Sequence, residues 1–224
     1  MSDEEKNYLS GTSGLFLPVP NKTYYPEAFK AKSRLCYYSS LMNSIEINSS
    51  FYKIPLASTV KKWCEYVPND FRFSFKLFKG ITHAPQLAFN PAYLAKFIDV
   101  INQVGEKKAC ILVQFPPSVR IANLPQLYNL MLSLQEHNHK NDWNIALEFR
   151  HPSLYVEEVY ELLEEHKLGM VIHDKGSVES PFDVVQNNFI YLRFHGPGGN
   201  YRGSYTDDVL SEYASYISEW LLDN

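Results

Sequence analysis

Phe71-Arg72-Phe73-Ser74-Phe75-Lys76 alternates without a break. Successive side chains of an extended chain point to opposite faces, so the three phenylalanines share one face and Arg72, Ser74 and Lys76 share the other. Such a strand fits a sheet that is covered by helices outside and curls around a polar interior. The same alternation recurs on either side of it. Ile45 and Ile47 oppose Glu46 and Asn48, and Val113 and Phe115 oppose Gln114. Leu147 and Phe149 oppose Glu148 and Arg150, while Ile190, Leu192 and Phe194 oppose Tyr191, Arg193 and His195. The polar members gather near the C-terminal ends of their segments, where a (β/α)₈ barrel builds its active site. In the segment that ends at Asp174, the register is open between His173 and Asp174.

Strand-like segments run over Leu9–Ser13, Ser44–Asn48, Arg72–Lys76, Cys110–Gln114, Ile145–Phe149, Met170–His173 and Ile190–Phe194. Helical patterns lie between them. Leu94, Phe97, Ile98, Ile101 and Val104 keep the spacing of an amphipathic helix, as do Leu127, Leu130, Met131 and Leu134, and Leu210, Tyr213, Ile217 and Trp220. Asn90-Pro91, and Asn123 ahead of Pro125, read as helix starts. The helical signal is weak between Asp174 and Asn188, which predicts an irregular connection. Alternating strands and helices predict an α/β fold, a TIM-type barrel of parallel strands filling residues 1–224 as one domain. Seven strands are identifiable, and the eighth is missing at the C-terminus.

Composition narrows the function classes. The 224 residues are 45% hydrophobic and 21% charged, as in an ordinary globular protein. The net charge of −4 argues against a broad basic coat for nucleic acid. Cys36, Cys64 and Cys110 form neither a disulfide framework nor a CxxC metal motif, which fits reduced thiols in a cytoplasmic protein. Residues Met1 to Lys6 are polar, and no apolar run approaches the roughly 20 residues of a membrane span. No membrane association is expected, and the oligomeric state is left open.

The inward residues and the loops after them carry the chemistry. Glu46, Glu148, His83 and His195 are candidate catalytic acids and bases. Asn48, Tyr52, Lys76, Gln114, Arg150, Arg193, Tyr201 and Arg202 are candidate ligand-binding residues. The last two lie in a glycine-rich loop, Gly196 to Gly203, of the kind that lets backbone N–H groups approach an anion. A plainer reading stays open: Glu46 with Lys76, and Glu148 with Arg193, are buried ion pairs that merely fill the interior. Glu46, His83, Glu148, Asp174 and His195 are also ligand types for a divalent metal. Lys76, Arg150 and Arg193 in the same ring disfavour a second cation, so no cofactor is implied.

Two functions fit these residues. The first is an enzyme for a small phosphorylated or otherwise anionic substrate, which Lys76, Arg150, Arg193 and Arg202 clamp. Glu46 or Glu148 acts as base and His83 or His195 as acid, in phosphoester hydrolysis or proton-transfer isomerisation. The second is a non-catalytic module for a nucleotide or nucleic acid, with Phe51, Tyr52, Tyr201 and Tyr205 stacking on bases.

Several stretches together resemble the YecE-like family, also called domain of unknown function 72. They are Gly11-Thr12-Ser13-Gly14, Tyr25-Pro26, residues Ile45 to Tyr52, Phe73-Ser74-Phe75-Lys76 and Ile81-Thr82-His83. They continue with Gln114-Phe115-Pro116-Pro117-Ser118, residues Glu148 to Ser153, Arg193-Phe194-His195-Gly196 and residues Tyr201 to Tyr205. The resemblance implies a TIM barrel similar in outline to the xylose isomerase and endonuclease IV group. It also implies recurring polar positions at Glu46, Asn48, Tyr52, Lys76, Thr82, His83, Gln114, Glu148, Arg150, His151, Arg193 and His195. It carries no established activity. Two departures stand out. Leu15-Phe16-Leu17-Pro18 replaces the aromatic residue usual soon after the first glycine, and a final strand with an aromatic-Asn-Asn ending is absent.

Overall fold

The structure is a computed structural model, and it describes residues 8–138, 140, 142–175, 180–181 and 189–223. Among the described residues six strands are present: β1 (Ser44–Ile47), β2 (Arg72–Lys76), β3 (Lys108–Gln114), β4 (Asn144–Glu148), β5 (Gly169–His173) and β6 (Tyr191–Arg193). They form one sheet in chain order, and every pairing is parallel. Helices fill the connections: α1 (Arg34–Tyr38), α2 (Ser49–Tyr52), α3 (Ala57–Glu65), α4 (Lys79–Thr82), α5 (Pro91–Ile101), α6 (Leu124–His137) and α7 (Glu157–Glu165). A last helix, α8 (Asp207–Asp223), follows β6.

The expected TIM-type barrel of seven or eight strands is overturned. The sheet is open and curled into a half-barrel, and among the described residues no ladder joins β6 to the beginning of the chain. The segment expected as the first strand, Leu9–Ser13, makes only an isolated bridge, Ser13 to Glu46. Its backbone does follow β1: Ser44 N–H donates to Ser10 O at 3.2 Å, Glu46 N–H to Thr12 O at 3.1 Å and Gly14 N–H to Glu46 O at 2.8 Å. The approach is close because Gly11 has no side chain; a Cβ there would lie 2.2 Å from Ser44 O. Gly14, at φ +91, then turns the chain away before a ladder develops. At the other edge β6 is only three residues long. The expected irregular connection between Asp174 and Asn188 lies mostly outside the described residues, as does the polar stretch Met1 to Lys6.

The alternation sorts the core into two layers. Ile45, Ile47, Phe71, Phe73, Phe75, Ile111, Val113, Ile145, Leu147 and Phe149 pack under the helices in the larger cluster. Helix α5 covers them with Leu94, Phe97, Ile98 and Ile101, and α6 with Leu127, Leu130, Met131 and Leu134. Asn90 starts α5 by accepting from the Ala92 N–H at 2.9 Å, with Pro91 at the first position. The stripe on α8 is covered less well, and Leu210 stays half exposed. On the concave face Cys110, Leu112, Ala146 and Val171 form a second, smaller cluster, with Phe189 and Tyr191 against it. This apolar floor lies one layer below the polar residues, two positions earlier on β3, β4, β5 and β6. Among the described residues no helix is long and apolar enough to cross a membrane.

Candidate functional site

Above the apolar floor, Arg193 joins the two ends of the curled sheet. From β6 its guanidinium reaches Glu46 on β1 through two bonds, Nε to Oε2 at 3.0 Å and Nη2 to Oε1 at 2.8 Å. Its third nitrogen, Nη1, donates to Glu148 Oε2 on β4. Arg193 and Glu46 are each less than a tenth exposed and Glu148 is fully buried, so the planar fork holds both carboxylates away from water. Burial alone would raise the Glu148 carboxyl, but Arg193 and Arg150 beside it hold it below its ordinary range. Burial likewise opposes charge on Arg193, and the two carboxylates outweigh it.

Two further groups complete the shell around Glu46. The Ser13 hydroxyl donates to Oε1 at 2.6 Å, and the Tyr191 hydroxyl donates to Oε2 at 2.9 Å. Asn48 Nδ2 donates to Ser13 Oγ at 2.6 Å, which orients that hydroxyl. Tyr191 is displaced by one strand period from Arg193, so the alternation that exposed Arg193 also placed Tyr191 on the inner face. Ser13 carries no such signal, because its segment does not form a strand.

On the other side Arg150 pairs with Glu148 through Nη2, and the same nitrogen lies 3.1 Å from His195 Nε2. Arg150 can only donate, so His195 Nε2 accepts and Nδ1 carries the proton, facing Asp174 Oδ1 at 3.2 Å. Burial and the nearby Arg193 lower the His195 imidazolium to about 4, which agrees with a neutral ring. Asp174 is held in turn by the Tyr205 hydroxyl and by the His195 backbone N–H at 2.6 Å. The open register at this point resolves with both residues in use. His173 Nδ1 accepts from the Lys175 N–H at 3.2 Å, so Nε2 carries the proton and donates to Phe149 O at 3.1 Å.

One nitrogen of this network has no partner. Arg150 Nη1 is buried and makes no hydrogen bond among the described residues, on a side chain that is 10% exposed. Lys76 is similar. It makes no hydrogen bond or ion pair through Nζ among the described residues, and lies 4.5 Å over the Phe51 ring. The expected Glu46–Lys76 pair is therefore replaced by Glu46–Arg193, while the expected Glu148–Arg193 pair is present and shared with Arg150. Burial and the Arg193 charge lower the Lys76 ammonium to about 8.

The remaining candidates lie at the rim. His83 is exposed, bonds through Nδ1 to Thr82 Oγ1 at 2.8 Å, and packs edge-on to Phe51 at 5.0 Å. Burial and then Lys76 lower its pKa, so it is neutral at pH 7. Gln114 is turned to its own neighbour, donating to Phe115 O at 2.9 Å. Tyr52 is 67% exposed, with Lys79 over its ring at 5.6 Å. Tyr201 is 68% exposed, between His195 at 5.2 Å and Lys175 Nζ at 4.2 Å. Arg202 is exposed, and among the described residues only its backbone N–H is held, donating to Asn200 Oδ1 at 3.1 Å. The glycine-rich loop is thus tied to the site through His195, Tyr201 and Tyr205 instead of Arg202. Among the described residues no group of three or more His, Cys, Asp or Glu side chains is placed to hold a metal.

Several known proteins are similar to this chain. UPF0759 protein YecE of Escherichia coli (strain K12) is 26% identical over 62% of this chain and 48% of that protein. UPF0759 protein YunF of Bacillus subtilis (strain 168) is 28% identical over 77% of this chain and 65% of that protein. The match thus spans about half the length of the first relative and under two thirds of the second. The crystal structure of a DUF72 family protein from Enterococcus faecalis V583 superposes with a TM-score of 0.71 at 24% identity, covering 84% of this chain and 81% of that one. Another, from Thermotoga maritima MSB8, gives 0.70 at 22% identity, covering 94% and 86%. At these identities the structures share the fold. The family model described as "Protein of unknown function DUF72" matches residues 10–224, and the chain belongs to that family.

Proposed function

We propose that the carboxyl-end mouth of the half-barrel is the active site of an enzyme for a small phosphorylated or otherwise anionic substrate, with Arg150 receiving the anion. The observation that carries this reading is the buried Arg150 Nη1, which has no hydrogen-bond partner among the described residues. A buried guanidinium N–H left without an acceptor is costly, and an anionic oxygen removes that cost. The neighbouring charge supports it: Lys76 interacts electrostatically with Arg150 and makes no ion pair among the described residues.

Within this reading proton-transfer chemistry is favoured over phosphoester hydrolysis. Arg193 and Arg150 hold the Glu148 carboxyl below its ordinary range, which makes it a weak base, and both oxygens of Glu46 are already engaged by Arg193. His195 is locked neutral between Arg150 and Asp174, so its place is to orient Arg150. Lys76, its ammonium lowered to about 8, changes protonation close to neutral pH, and His83, lowered by burial and Lys76, offers a neutral imidazole beside it. A second reading, a nucleotide-binding module, draws on the exposed Tyr52 and Tyr201 rings. Three free cysteines suit the reducing cytoplasm as the place of work.

Isothermal calorimetry with inorganic phosphate and with a short single-stranded oligonucleotide tests both. Phosphate binding that Arg150→Met removes supports the enzyme site. Oligonucleotide binding that falls steeply with salt and survives Arg150→Met supports the second reading. Phosphate binding unchanged in Arg150→Met sinks the first.

A further inference from the structure

We propose that Lys76 is a nucleophilic amine that condenses with the carbonyl carbon of a small anionic aldehyde or ketone, the anion resting on Arg150. This deepens the reading of the mouth as an anion site and rests on it. The placement is specific. Lys76 closes β2 on the concave face, and its backbone is pinned by Ser50 Oγ donating to Lys76 O at 2.7 Å. Its Nζ lies 4.5 Å from the centre of the Phe51 ring. The other lysines at the rim are engaged or outlying: Lys175 Nζ donates to Gly199 O at 2.9 Å, and Lys79 sits over the exposed Tyr52. The Phe51 ring face favours the ammonium, but an interior lysine near Arg193 with no carboxylate partner among the described residues is still placed to lose its proton.

The electrostatics agree with the geometry. Burial, and then Arg193, lower the ammonium to about 8, so about a tenth of the molecules carry free amine at pH 7. That is roughly 300-fold more than an ordinary lysine supplies. In the proposed step the amine nitrogen bonds to the carbonyl carbon. The carbonyl oxygen leaves as water, taking both amine hydrogens, and a carbon–nitrogen double bond remains. No oxidant or reductant is needed. Protonated, that imine draws electrons from the adjacent carbon and eases loss of its proton. His83, neutral and packed on the same Phe51 ring, is in position to accept a proton directly or through water.

The test incubates the full chain with glyceraldehyde 3-phosphate and sodium cyanoborohydride at low stoichiometry, then maps the reduced adduct by peptide mass spectrometry. Lys76 is expected to be modified at least tenfold ahead of the other lysines, with a rate that rises through a midpoint near pH 8. Inorganic phosphate should protect it, and unphosphorylated glyceraldehyde should react more slowly. Lys76→Arg keeps the charge and removes the nucleophile, so it should retain phosphate binding by calorimetry and lose the adduct. Adducts spread over surface lysines, with phosphate binding intact, overturn the nucleophile and leave the anion site standing. Selective Lys76 modification with neither phosphate protection nor phosphate binding overturns the anionic substrate class and the anion site with it.

Discussion

Replacing Arg193 with Met removes the guanidinium that ties β6 to both β1 and β4, and leaves Tyr191 bonded to Glu46. The Glu46 carboxylate would keep the Ser13 and Tyr191 hydroxyls, and Glu148 would keep Arg150. Both acids would nonetheless lose a charged partner at positions that are 7% and 0% exposed. Breaking a buried ion pair on one side costs about 3–5 kcal/mol. In a chain of this size that is a fall in Tm of roughly 6–20 °C. The penalty depends on pH in a defined direction. In the wild type Glu148 is held below the ordinary carboxylate range, so its stabilisation is present above about pH 4 and is lost as pH falls. Arg193→Met takes that stabilisation away at neutral pH, so wild type and variant should converge in acid. Thermal unfolding at pH 7 and pH 3 reads both effects, and Glu46→Gln in the Arg193→Met background should recover part of the loss. A Tm within 2 °C of wild type at pH 7, or a gap that does not narrow in acid, refutes the inward placement of this network.

Smaller perturbations address neighbouring parts. Because His195 is held neutral with a pKa of about 4, the unfolded chain binds a proton that the folded chain refuses between about pH 6.5 and 4. Stability should therefore fall by up to about 3 kcal/mol as pH drops through that window, and urea melts of His195→Gln should show a flatter profile. Tyr191→Phe removes the 2.9 Å donor to Glu46 and should cost about 1.5–3 kcal/mol in the same melts. Gly11→Ala puts a Cβ 2.2 Å from Ser44 O and should cost about 1–3 kcal/mol by pushing Ser13 away from Glu46, which hydrogen exchange at the Glu46 amide would register.

How far the sequence reaches is visible in individual residues. The alternation of β2 places Phe73 and Phe75 under the helices and Lys76 on the concave face, and the structure agrees, because burial of one face enforces a period of two. Closure is a different matter. It depends on whether two distant edges pair along their backbones, and residues 9–13 read as a strand by composition although Gly14 turns the chain away before a ladder develops. Partner choice within the ring is equally non-local. Glu46 pairs with Arg193, 147 positions away, instead of Lys76, since the curl of the sheet and not the strand pattern sets which charges meet. Ser13 and Asp174 join the site through loop geometry, which leaves no periodic trace. Arg150 was legible as an inward cation, but its unpartnered nitrogen emerges only once Glu148 and His195 are seen to occupy the other.

The proposed function turns on Arg150 Nη1 receiving an anion at the polar mouth. Crystals soaked in tungstate and measured at the tungsten edge address it directly. One dominant anomalous peak is expected within hydrogen-bonding reach of Arg150 Nη1 and on the Lys76 side of the mouth, absent in Arg150→Met. Tungsten bound only at surface lysines, with Arg150 Nη1 filled by a protein oxygen, would contradict it.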